Sequence, residues 1–233
     1  MVDSTGKAGR ETGFSDHLKK AAQPIWDAQL LHPFVLGLGD GSLPEAKFKF
    51  YILQDALFLF ELAKLFALAA TRATDIETIA YLSKLQVDTI QVERGLHQEY
   101  AKRWQMSEAE MASVPMAPTN YAYTRHLRSI AQTGSLAEIL VAALPCAWIY
   151  CEVGLHFCRQ GPPPAGHPYK NWLALYASPE FAEVARWMRE AIDQWTLEAG
   201  PVERARMEQA FVISSRYEWS FWEMAWREER WPV

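Results

Sequence analysis

Positive charge is in short supply in this chain. Its 233 residues carry 23 Lys and Arg against 28 Asp and Glu, a formal net charge of -5, with an isoelectric point of about 5.7. No basic run of five or six residues appears, so nothing is present to offset a phosphate backbone, and nucleic acid is excluded as a partner. Cysteine is scarce as well. Cys146, Cys151 and Cys158 are an odd number that cannot all pair within the chain, which fits a reducing compartment. A helix advances about 100° per residue, so thiols five and twelve positions beyond Cys146 point away from it and cannot close around one metal ion. Cys151 and Cys158 read as small core residues.

Strand-like alternation between turn residues is missing too. Residues 50–70 look apolar enough to suggest a membrane span, but Asp55, Glu61 and Lys64 break them, and each central charge costs roughly 3 kcal/mol on insertion. They read as a buried helix of a protein that stays out of the membrane. The opening MVDSTGKAGRETG is polar and lacks an apolar signal core; it is expected to be a loose leader, residues 1–13, ahead of a single domain covering 14–233. The expected location is the cytoplasm.

What the chain has in abundance is helix punctuation. Ser15 precedes the first periodic run, and Leu43-Pro44-Glu45 reads as a helix entry. Ser107 with Glu110, and Ser135 with Glu138, form capping boxes in which side chains satisfy free amide donors. Gly134, Gly161 with the three prolines after it, and Gly200-Pro201 mark ends. Helices are expected near 15–30, 44–72, 75–105, 120–133, 136–159, 169–176, 179–199 and 202–228, an all-α bundle. Half the residues are hydrophobic, enough for one substantial core.

Polar residues on core stripes carry the functional signal. Phe48, Ile52, Asp55, Leu59, Leu62 and Phe66 follow the spacing of one helix face, and Met207, Phe211, Ser214, Glu218, Phe221 and Ala225 follow another. Both put a carboxylate inward, where it must be paired, protonated or functional. Asp55 is followed one turn on by Phe58, Cys146 by Tyr150 and Glu218 by Phe221. Three such helices facing one cavity would form an aromatic box with two carboxylates and a thiol, suited to a planar nitrogen heterocycle.

The segments HPFVLGLGDGSLP (32–44), FYILQDALF (50–58), NYAYT (120–124), LPCAWIYCEVG (144–154), GHPYKNW (166–172) and FVISSRYEWSFWEMAW (211–226) together resemble the TenA/thiaminase II family. That resemblance implies a haem-oxygenase-like helical fold, a homotetramer, no cofactor, and action on thiamin breakdown products. Members with this cysteine hydrolyse aminomethyl-pyrimidine to hydroxymethyl-pyrimidine, and many also split thiamin. Matched by motif, Cys146 would be the nucleophile, Glu218 the acid/base partner of the ring nitrogen and Asp55 the grip on the amino-pyrimidine edge. Tyr123, Tyr150, Tyr176 and Phe221 fall at pocket aromatics, whereas Phe58 stands where the family commonly has tyrosine. Pro145, ahead of Cys146, removes a backbone donor and is expected to kink the helix or begin a fresh turn there.

Two other classes are set against this reading. Glu93 with His97, and Glu152 with His156, can each present two metal ligands on one helix face, but neither has the Glu-x-x-His spacing of di-iron bundles. His17 is a haem ligand only by analogy with the fold. A non-catalytic regulator that keeps the pocket is the third class, and turnover of aminopyrimidines separates all three.

Overall fold

The computed structural model describes residues 13–159 and 161–233, the side chains at 92, 93, 96, 97, 108 and 112 excepted. The expected leader, Gly13 apart, and the Glu93/His97 pair thus lie outside the described residues. Among the described residues the chain is all α, without strands: α1 (Phe14–Ala21), α2 (Gln23–Leu30), α3 (Pro33–Asp40), α4 (Glu45–Ala70), α5 (Ile76–Asp88), a π turn (Thr89–Glu93), α6 (Arg94–Arg103), α7 (Glu108–Ala112), α8 (Pro118–Thr133), α9 (Leu136–Cys158), α10 (Lys170–Tyr176), α11 (Pro179–Trp195) and α12 (Pro201–Arg227).

Several boundaries differ from expectation for identifiable reasons. The helix expected over 15–30 is two, parted at Ala22, because Pro24 has no amide to continue the ladder. Ser15 is not a cap: Gly13 stands there, and the Ser15 hydroxyl donates instead to Asp193 at 3.0 Å. The span 75–105 is interrupted by the π turn, an insertion that hydrophobic periodicity does not reveal. Helix α3 is not among the expected helices, its glycines arguing against it; His32 caps it, with Nδ1 accepting from the Phe34 amide at 3.1 Å, and Gly41 closes it in the left-handed region at φ 82°. Pro145 neither breaks α9 nor begins a new turn; the helix runs through it.

Helix α9 is the axis of the bundle. It is apolar on every side, and α4, α8, α10, α11 and α12 all pack against it. Its length and composition would allow a membrane crossing, but 83% of that stretch is buried inside the protein. The capping box at Ser135 and Glu138 forms as expected, and Ser135 Oγ also donates to Glu203 of α12 at 2.7 Å. Near its other end, Gly154 is required: a Cβ there would meet the backbone carbon of Tyr176 at 2.5 Å. This close approach brings α10 onto α9 and sets Tyr176 beside Tyr150.

Helix α12 is fastened to α2 by two buried indoles. Trp26 donates from its indole to Ser215 Oγ at 3.1 Å, and Trp222 donates to Gln29 Oε1 at 2.6 Å, which locks α2 in place. On α4, Gln54 accepts from the Ala117 amide at 2.9 Å while Asn120 donates to the Gln54 carbonyl at 2.7 Å. These buried bonds set the start of α8, and so Tyr123, against the Asp55 turn of α4.

Candidate functional site

Both stripe carboxylates are inside. Asp55 is 4% exposed and Glu218 is 2% exposed. The Tyr123 hydroxyl, fully buried on α8, donates to Glu218 Oε1 at 2.5 Å. Burial pushes the Glu218 carboxyl up to about 8; the Tyr123 bond pulls it down and the Asp55 charge pushes it further up. At neutral pH Glu218 is therefore mainly a protonated acid, held where its proton can be donated.

Two tyrosines tie the polar groups together electrostatically. Tyr123 is held well above its ordinary value by burial first, then by charge at Glu218 and at Cys146. Tyr150 is raised likewise by burial, then by Tyr51, Glu218 and Asp55. The thiol and both carboxylates thus act on one buried neighbourhood formed where α4, α8, α9 and α12 meet.

The expected aromatics surround it in two groups. Phe58 packs on Tyr123 with ring centroids 5.1 Å apart and on Phe221 at 5.8 Å. Tyr150 packs on Tyr176 at 5.0 Å. Tyr51 and Trp222, which the stripes did not single out, bridge the groups: Tyr51 meets Phe221 at 6.0 Å and Trp222 at 5.7 Å, and Trp222 meets Tyr150 at 4.8 Å. Trp172 donates from its indole to the Tyr51 hydroxyl at 3.3 Å. The signal for two of these was present, since Tyr51 lies four residues before Asp55 and Trp222 four after Glu218.

Cys146 is half-buried and also lines a cavity of about 110 Å³ walled by Leu62, Phe66, Leu85, Leu175 and Met188, with Thr89 of the π turn. Neither carboxylate lines that cavity. The thiol therefore stands between it and the aromatic cluster. Cys151 is buried and Cys158 partly so, and burial pushes both thiols up.

Two of the residues weighed for metal or haem chemistry, His17 and Glu152, have other partners. His17 lies 2.6 Å from Glu208, and Glu152 is paired with Lys19. No group of three or more potential metal ligands occurs among the described residues.

The profile of the TENA/THI-4/PQQC family matches residues 19–228. An aminopyrimidine aminohydrolase of Halalkalibacterium halodurans is 43% identical over 219 residues, 94% of this chain and 97% of that protein. Among solved structures, a TenA homologue from P. horikoshii OT3 superposes with a TM-score of 0.83 at 30% identity, covering 93% of this chain and 99% of that one. A domain of unknown function with a heme oxygenase-like fold, from Shewanella denitrificans, superposes with a TM-score of 0.71 at 16% identity over 94% of each chain, a likeness of fold alone.

Proposed function

The chain belongs to the TENA/THI-4/PQQC family, and from that premise we propose that it is an aminopyrimidine aminohydrolase, converting 4-amino-5-aminomethyl-2-methylpyrimidine to the hydroxymethyl-pyrimidine and ammonia. The observation that carries the reading is Glu218: a buried carboxyl raised to about 8, bonded to Tyr123 at 2.5 Å, in the neighbourhood of a thiol. A structural carboxylate would be expected to hold a cation at such depth, and what Glu218 has is a tyrosine and a second acid.

In this reading the Cys146 sulfur bonds a ring carbon of the pyrimidine while Glu218 protonates the ring nitrogen. The electron-rich adduct expels the exocyclic amine, which departs as ammonia with the proton of the thiol. Water adds its hydroxyl to the remaining methylene and its other proton goes to the sulfur. The ring regains aromaticity as the carbon–sulfur bond breaks, and Glu218 takes back its proton. One water enters and one ammonia leaves. Asp55 accepts from the amino-pyrimidine edge, and Phe58, Tyr123, Tyr150, Tyr176 and Phe221 enclose the ring.

Cleavage of thiamin by the same steps, with the thiazole as leaving group, belongs to the proposal, as do assembly as a homotetramer, which rests on the family resemblance, and a cytoplasmic location, which rests on the odd number of cysteines and the polar opening segment. The test is a panel of thiamin, the aminomethyl-pyrimidine and its formylated form, assayed for hydroxymethyl-pyrimidine. Release of that product from the aminomethyl-pyrimidine is expected; no turnover of any panel member would leave the chain a binder.

A further inference from the structure

Cys146 borders two kinds of surroundings. One is the aromatic cluster that holds Glu218 and Asp55; the other is the cavity of about 110 Å³, which neither of those carboxylates lines. The buried part of the cavity wall is apolar apart from Thr89: Leu62 and Phe66 come from α4, Leu85 from α5, Met188 from α11, and Ala143 from α9, one turn before Cys146. Charged side chains reach it where Glu180 is exposed and where Asp88, half-exposed, is paired with Lys84. The cavity therefore runs from solvent inward to the thiol.

Its walls are held without being filled. Tyr81 of α5 stacks on Trp187 of α11 with ring centroids 3.9 Å apart, one turn from Leu85 and next to Met188, which ties the two helices beside the space they enclose. Leucine at 143 would put three more carbons into that space. Interiors are close-packed, and a gap in one forfeits contacts, so a gap set against the nucleophile points to a group that fills it during the reaction. The chemistry says which. In 4-amino-5-aminomethyl-2-methylpyrimidine the ring carbon that carries only hydrogen is the neighbour of the one bearing the methylene. Sulfur adding there leaves the exocyclic nitrogen within a few ångströms of Sγ. The ring's nitrogen edge is turned to Asp55 and Glu218 in the cluster, so whatever else the exocyclic nitrogen carries extends into the cavity.

We propose that the cavity walled by Leu62, Phe66, Leu85 and Met188 is the leaving-group pocket of the site, and that it takes aminopyrimidines whose exocyclic nitrogen carries a compact apolar or flat aromatic group. The inference rests on the aminohydrolase reading and names the substrate class of that same site. A cavity of roughly 150 Å³ lined by such side chains binds benzene, and this one, open at its outer end, is of that order. With a benzyl group on the exocyclic amine, the bond between methylene and nitrogen breaks, the nitrogen departs with the bonding electron pair and a proton as benzylamine, and water supplies the hydroxyl of the hydroxymethyl-pyrimidine. One water enters and one benzylamine leaves.

Two measurements test it. The first is the ratio of kcat/KM for the benzyl-substituted amine to that for the unsubstituted aminomethyl-pyrimidine. The wild type should release benzylamine, and the ratio should fall by at least roughly tenfold in Ala143→Leu and in Val184→Trp, a typical size for a few carbons too many in an apolar pocket. Val184 lines the cavity at a half-exposed position, so that variant decides where Ala143→Leu does not fold. The second measurement needs no turnover: the rate at which N-benzylmaleimide alkylates Cys146, relative to N-ethylmaleimide and read on the Cys146 peptide by mass spectrometry, should fall to a similar extent in the same variants. A wild type that hydrolyses the unsubstituted amine but not the benzyl one, or ratios unchanged in the folded variants, overturns the pocket. A wild type inert on every pyrimidine whose maleimide preference still falls in the variants would sink the aminohydrolase reading and leave an apolar pocket beside the thiol standing.

Discussion

Replacing Glu218 by glutamine should make the protein more stable and less active at once. In the unfolded chain this carboxyl titrates near 4.5, and in the folded protein near 8. Between those values the native state holds a proton that the unfolded state has released. The stability contributed by this group is therefore complete below about 4.5 and is lost as pH rises through about 8. A gap of one pH unit between the folded and unfolded titrations corresponds to about 1.4 kcal/mol, so the difference amounts to roughly 5 kcal/mol once the carboxylate is forced to ionise. Glutamine keeps the shape and can still accept from Tyr123, but it never ionises. The advantage of Glu218→Gln over wild type should accordingly grow by about 1.4 kcal/mol per pH unit across that interval. Urea unfolding of both proteins at matched concentration, repeated from about pH 5 to 8, reads this directly. Turnover by the variant should fall by roughly a hundredfold or more, as expected for a lost acid. A stability difference that is flat across the range would refute the buried, proton-holding Glu218 on which the site depends.

The other expectations concern its neighbours. Tyr123→Phe removes the one bond that lowers Glu218, so the alkaline limb of kcat, set by loss of the Glu218 proton, should move to higher pH in a pH–rate profile. Phe58→Tyr adds a hydroxyl beside Tyr123 and Phe221; one hydrogen bond of about 1 kcal/mol changes rate or preference about five- to tenfold in competitive assays of the panel. Activity created from nothing by that change would instead mark the wild type as a binder. Cys151→Ser and Cys158→Ser should retain most activity in the same assay.

The inward stripes on α4 and α12 can be read from spacing alone, because a 26-residue and a 27-residue helix repeat the 3.6-residue pattern often enough to mark a face. Asp55 and Glu218 are legible for that reason, as are the capping boxes. What periodicity does not carry is register between helices. The meeting of His126 with Ser214, the bridging role of Tyr51 and the engagement of Gln54 by Asn120 depend on how α8 lies against α4 and α12. Short elements are the other blind spot: α3 holds two glycines, and the π turn changes the helical phase within five residues. The thiol's place beside a cavity lined by residues of several helices and by Thr89 of that turn likewise depends on how they pack, which leaves no mark in the hydrophobic pattern.

The claim that a Cys146 thiol adds to the pyrimidine is tested most directly by Cys146→Ser. Serine is close in size but far less nucleophilic at neutral pH, so the variant should bind the aminomethyl-pyrimidine with near wild-type affinity and release almost no hydroxymethyl-pyrimidine or ammonia. Turnover by Cys146→Ser equal to that of the wild type, or to that of Cys151→Ser and Cys158→Ser, would contradict the account.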